Sequence, residues 1–160
     1  MKAVILGISF STRMIGLAVL EPPSLIDYSV KFHKGTWSPA KMNSILTSLT
    51  SAVKHYNITH IVLSIAPAYY RAEPFQELWQ EMVVQLRTLN IPLSMHRLTE
   101  LQALVGYEER MSRKLFMKVL AELYPQLSVY AKIEGRNKNK YYYKMFEAIG
   151  VATLYSREMG

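Results

Sequence analysis

Two apolar runs rich in β-branched residues open the chain, Ala3 to Ile8 and Met14 to Leu20. Between them lies a polar interval of Ser9, Phe10, Ser11, Thr12 and Arg13. Strand-forming runs broken by short polar residues predict a β-hairpin. Pro22-Pro23 cannot continue a paired ladder and predicts a turn. From Ser24 to His33, Ile26, Tyr28, Val30 and Phe32 alternate with Asp27, Ser29, Lys31 and His33, the period of a half-exposed third strand in an antiparallel meander.

The period then lengthens. Ser38-Pro39 places a cap before a proline suited to the first helical position, and Met42, Ile45, Leu46, Leu49 and Val53 follow at helical spacing. His60 to Ile65 is apolar enough through Ile61, Val62 and Leu63 to predict a central strand covered on both faces. A helix over Glu73 to Leu89, a short strand over Ile91 to Arg97 and a helix from Leu98-Thr99 through Val105 are predicted next. The last third reads as a helix over Ser112 to Leu123, a basic loop from Lys132 to Lys140 and a final helix from Tyr142 to Arg157. A meander followed by alternating helices and strands gives an α/β domain spanning residues 1–160, with a five-stranded mixed sheet and helices on both faces.

Composition sharpens this. The chain of 160 residues is long enough for a well-buried core. Its apolar runs fall far short of the ~20 residues of a membrane helix, and no secretory cleavage pattern follows the first run, so a cytoplasmic protein with no membrane partner is expected. Cysteine is absent, which excludes disulfides, thiolate metal sites and a cysteine nucleophile. The net charge of +7 resides in one segment: Arg110 to Lys144 holds nine basic residues and two acids. Such asymmetry is the footprint of a polyanion, most often nucleic acid, although a basic face kept for solubility gives the same count.

The hairpin sequence ILGISFSTRMIGLAVLE resembles the first hairpin of RuvC-type Holliday junction resolvases and their YqgF relatives, within the ribonuclease H-like superfamily. Those hairpins read Gly-Ile/Leu-Asp, a small loop, then Arg-x-x-Gly-x-Ala/Gly-Val; here Gly7, Ile8, Thr12, Arg13, Gly16, Ala18 and Val19 fit. THIVLSIAP is similar to the fourth strand, SRKLFMKVLAELYP to the basic helix and KMFEAIGVATLY to the final helix, while SMHRLTELQA resembles the YqgF pattern, so both branches stay open. The resemblance implies a ribonuclease H-like fold, DNA as partner, four-way junctions among its forms, and a homodimer. The actin and hexokinase superfamily begins with a similar phosphate-gripping hairpin, but it needs a duplicated domain.

The resemblance also implies a two-metal site in which carboxylates hold Mg2+ or Mn2+ against a phosphodiester. Matched residue by residue, the first-strand Asp is Ser9, the fourth-strand Glu falls at or near Ser64 (or at His96 under the YqgF pattern), and an acid of the last helix is Lys144. Only Glu147 remains a carboxylate, and the chain's single Asp, Asp27, lies on the meander. Hydroxyls supply neither the charge nor the donors these ions need, so a nucleic-acid-binding protein with no cofactor and without efficient cleavage is expected. Relocated acids at Glu73, Glu100 or Glu134 would instead keep an active metal-dependent resolvase. A third reading is a non-catalytic interaction protein, with the Phe75 to Leu86 helix pairing subunits.

Arg13 is the best candidate for a bidentate phosphate contact, its alternative being a salt bridge to a nearby Glu. Arg110, Arg113, Lys114, Lys118, Arg136, Lys138 and Lys140 complete the candidate nucleic-acid surface. Tyr141, Tyr142 and Tyr143 could stack on bases, or one packs inward beside exposed neighbours. Ser9 and Ser64 also fit ordinary strand ends, Glu147 a surface acid, and the four histidines lack metal-ligand spacing.

Overall fold

Alternation along β1 (Ile5–Phe10) decides the architecture: Ile5, Gly7 and Ser9 face one way, Leu6, Ile8 and Phe10 the other, and all six are buried. A strand buried on both faces must lie inside a sheet covered on both sides. In the computed structural model, which describes residues 2–33, 38–65, 73–136 and 141–159, β1 is the middle strand of a five-stranded sheet ordered β3-β2-β1-β4-β5. It pairs antiparallel with β2 (Met14–Glu21) and parallel with β4 (His60–Ile65). β3 (Ser24–Phe32) is the antiparallel edge and β5 (Leu93–Arg97) the parallel one. Mixed sheet, hairpin and helical layers on both faces are those expected from the sequence.

On one face, α1 (Pro39–Tyr56) and α2 (Glu73–Arg87) cover Leu6, Ile8 and Phe10 with Ile45, Leu49, Val53, Leu78 and Met82. Ser38 caps α1 by accepting the Lys41 N–H at 3.2 Å, with Pro39 at the first helical position. The other face carries α3 (Gln102–Val105), α4 (Arg113–Leu123), α5 (Ser128–Arg136) and α6 (Tyr143–Met159). Phe116, Leu120, Phe146 and Ile149 fill the core between these helices and Ile5, Ala18 and Val62.

α6 lies directly on the hairpin because two glycines remove the side chains that would hold it off. A Cβ at Gly7 would stand 2.2 Å from the Ala148 carbonyl oxygen, and one at Gly16 would stand 2.2 Å from that of Lys144. The close approach brings the first turns of α6 against the C-terminal end of β1.

Several sequence expectations need correction. β1 runs through Ser9 to Phe10, because both side chains are buried, so the turn is confined to Ser11, Thr12 and Arg13. β3 buries Leu25 and leaves Ile26 and Phe32 exposed, as an edge strand covered on one face only in part. The segment after β5 is a 3₁₀ turn over Leu98–Leu101 followed by the single-turn α3. There Glu100 Oε1 accepts the Arg97 N–H at 2.9 Å and tightens the turn. α2 ends at Arg87, and α6 begins at Tyr143 and extends to Met159.

The basic stretch read as a loop is helical as far as Arg136. Lys132 and Arg136 are one turn apart on its exposed side, while Glu134 points inward. Glu134 Oε1 accepts the Tyr141 and Tyr142 N–H groups at 2.8 Å each, a carboxylate at the start of α6 where free N–H groups gather.

Candidate functional site

β1 and β4 run in parallel with Gly7 opposite Val62 and Ile8 opposite Leu63, so their next residues of like orientation, Ser9 and Ser64, meet at the carboxyl ends of the two strands. Ser64 Oγ donates to Ser9 Oγ at 2.9 Å, and Ser9 Oγ donates to Glu147 Oε1 at 3.1 Å. Lys144, three residues earlier on α6, places its Nζ 2.9 Å from the same oxygen. The four positions matched to a metal centre thus converge into one chain of contacts: hydroxyl, hydroxyl, carboxylate, ammonium. Ser9 is fully buried and Glu147 and Ser64 nearly so, while Lys144 is the member reached by solvent.

A divalent ion does not fit this donor set. Magnesium needs hard, mostly anionic oxygens, and the site offers one carboxylate whose Oε1 already accepts an ammonium and a hydroxyl. An ion beside that oxygen would face the Lys144 charge at contact distance in a poorly solvated corner. Among the described residues no group of three or more His, Asp or Glu side chains is placed to hold a metal. Nor is Ser9 placed to act as a nucleophile, since its oxygen is out of reach of solvent and its proton is committed to Glu147.

The relocated acids lie elsewhere. Glu100 bonds His96 Nδ1 at 2.8 Å and the Arg97 N–H, which together hold its carboxyl below the ordinary 4.5, the backbone bond being the larger cause. His96 does sit opposite Ser64 in register, but its Nε2 turns to Glu158 at 3.2 Å. Glu134 caps α6, and Glu73 is exposed at the start of α2. Asp27 accepts hydrogen bonds from the Tyr56 hydroxyl and the Tyr28 N–H on the meander. The apolar face of α2, proposed from sequence to pair subunits, is spent inside the chain: Phe75, Leu78, Met82 and Leu86 are all buried.

Arg13 stands exposed in the hairpin turn and makes no ion pair among the described residues, so the alternative of a salt bridge there is not realised. Arg113 lies with its guanidinium carbon 4.7 Å from the centre of the Tyr143 ring, beside Lys144. Burial, and then the Glu147 charge, push the Tyr143 hydroxyl above its ordinary 10 against the opposing pull of Arg113. Tyr143 also meets Phe116 edge-on at 6.1 Å, and Tyr142 packs between Tyr130 and Tyr141 at 5.0 Å each, so of the three Tyr141 is the most exposed, at 42%. Arg110, Lys114, Lys118 and Arg136 are exposed, and the last three border a groove between α4 and α5. Lys138 and Lys140 lie outside the described residues. Lys132, counted with the charge but not singled out, belongs to the same groove. The sequence signal for it was the cation pair at positions 132 and 136, which a loop reading conceals.

No protein-family model matches the chain, and no curated protein sequence matches it. Solved structures do. Thermus thermophilus RuvC superposes with a TM-score of 0.70 at 13% identity, covering 98% of this chain and 96% of that one. RuvC from the same organism in complex with a Holliday junction substrate gives 0.69 at 10% identity, with the same coverage. The Fowlpox virus resolvase in complex with its substrate Holliday junction DNA gives 0.59 at 10% identity over 98% of both chains. The chain therefore has the ribonuclease H-like fold in its RuvC-type form over nearly its whole length.

Proposed function

We propose that this RuvC-like chain is a nucleic-acid-binding protein that holds branched or duplex DNA without cutting it efficiently. The carrying observation is the position of Lys144: its ammonium sits on the one carboxylate left at the carboxyl ends of β1 and β4. An internal cation occupies the corner where the fold's resolvases are expected to bring metal to the phosphodiester. Paired with Glu147, that ammonium leaves the corner close to neutral, so attraction for a phosphate falls to the cations around it, and metal activation of an attacking water is not supplied. Arg13 is exposed in the turn that follows β1, Arg113 lies over the Tyr143 ring next in sequence to Lys144, and Arg110, Lys114, Lys118 and Arg136 are further exposed cations. The resolvases of similar fold were captured on Holliday junctions, which makes four-way DNA the first ligand to try.

The test measures binding to four-way junctions, duplexes and single strands across a salt series, with chelator and then with Mg2+ or Mn2+. Log affinity on duplex should fall with log salt by about 0.9 per phosphate neutralised, and binding should not require the metal. No cleavage should appear. Absence of binding near about 50 mM salt sinks the nucleic-acid reading; metal-dependent cutting abolished by Glu147→Ala sinks the non-cleaving one.

A further inference from the structure

The groove between α4 and α5 has an apolar floor and cationic walls. Met117 and Ala121 from α4 and Ala131 and Gly135 from α5 supply the apolar lining of a space of about 540 Å³. Lys114 and Lys118 stand along one wall and Lys132 and Arg136 along the other, each pair one helical turn apart. Glu122 is the single acid of the lining, and none of the four cations is in an ion pair among the described residues. Val129 and Ile133 are exposed on the ridge of α5 that leads to Arg136, so apolar surface continues past the cationic wall.

A nucleic acid would use these walls but not the floor between them. Phosphates satisfy ammonium groups but leave a methyl and thioether floor wet, and among the described residues no aromatic ring lines the groove to stack a base. An amphipathic helix uses both features. Its large apolar side chains at i, i+3 or i+4, and i+7 would enter between the helices, where alanine and glycine allow close approach and methionine adapts its shape. Carboxylates on its two shoulders, one turn apart, would meet the cation pairs on both walls. We propose that the α4–α5 groove is a docking site for an acidic amphipathic helix of a protein partner. This goes beyond the DNA-binding reading and does not depend on it. Because Lys114, Lys118 and Arg136 also belong to the positive surface, the docked helix competes with nucleic acid for them.

The experiment uses the full chain and a fluorescein-labelled helical peptide of about sixteen residues, long enough for four turns, with leucine anchors at i, i+4 and i+7 and glutamates on both shoulders. Anisotropy should show saturable binding. Ala121→Trp, which fills the floor and keeps every charge, should weaken it by about tenfold or more, as should a peptide of equal charge with serine anchors. Gly135→Leu is a second filling variant, since a Cβ there meets nothing within 4 Å, and it is read if Ala121→Trp loses its helical circular dichroism. No peptide binding overturns the proposal. Equal affinity for the serine-anchored peptide does so too, since charge alone then suffices. Weakening of duplex or single-strand binding by a filling variant that leaves the peptide unaffected assigns the groove to nucleic acid instead.

Discussion

One methyl group at position 16 measures how α6 is seated. In Gly16→Ala the new Cβ would lie 2.2 Å from the Lys144 carbonyl oxygen, 2.3 Å from its carbon and 2.6 Å from the Met145 nitrogen. All three are backbone atoms of the first turn of α6, so no side chain can swing aside. Restoring ordinary contact moves the helix by about 1 Å, and overpacking of a close-packed core costs about 1–3 kcal/mol. Glu147 rides on the same turn, so the Ser9 hydrogen bond weakens with it, adding about 1 kcal/mol. The total, about 2–4 kcal/mol, should lower the melting temperature by about 5–15 °C in a chain of this size. Gly135→Ala adds the same methyl to open space in α5 and should gain about 0.5 kcal/mol from helix propensity. Urea unfolding of both variants reads the contrast in sign. A Gly16→Ala unfolding free energy within about 0.5 kcal/mol of the parent, the usual scatter of neutral surface changes, would refute this seating of α6.

The polar corner and its neighbours give further expectations. Lys144→Ala leaves the Glu147 carboxylate in a poorly solvated place without its cation and should cost about 2–3 kcal/mol. Adding Glu147→Gln should return most of that loss, and a double-mutant cycle by urea unfolding that shows no coupling would refute the pair. The triple variant Ser9→Asp, Ser64→Glu, Lys144→Asp replaces the ammonium with carboxylates, so Mn2+ should raise its melting temperature, by the equivalent of about 2.7 kcal/mol at a hundred times its dissociation constant. The parent's melting temperature should not respond. Glu100 has a carboxyl held below 4.5, so its contribution to stability is present above that value and fades as pH falls through the lowered folded pKa. The melting-temperature gap between the parent and Glu100→Gln should therefore be present at pH 6 and shrink as the pH is taken below 4.5; a gap that widens over that acid range would contradict it.

Strands and helices were legible in the sequence wherever a period was set by burial on one side or both. β4 was readable from Ile61, Val62 and Leu63, and α1 from its cap and single stripe. The errors fall where a local contact overrode the pattern: Glu100 turned a predicted helix into a 3₁₀ turn, and inward-facing Glu134 marked a helix that charge had disguised as loop. The kinds of residue at the site were equally readable from sequence, because Ser stands at positions 9 and 64 and Lys at 144, which leaves Glu147 as the carboxylate of the four.

Only the tertiary structure decided what those residues do to each other. Ser9, Ser64, Lys144 and Glu147 lie on three elements far apart in the chain, and nothing in their spacing states that one carboxylate oxygen accepts both a serine hydroxyl and an ammonium. That depends on β1 and β4 pairing in parallel, and on Gly7 and Gly16 letting α6 settle onto the hairpin. The groove has the same origin: its cations were countable from the start, but the apolar floor between them exists only once α4 and α5 pack side by side. Hydrophobic period is a local property that sequence carries directly. The contact of two side chains brought together by a fold is not local, and close packing alone sets its distance.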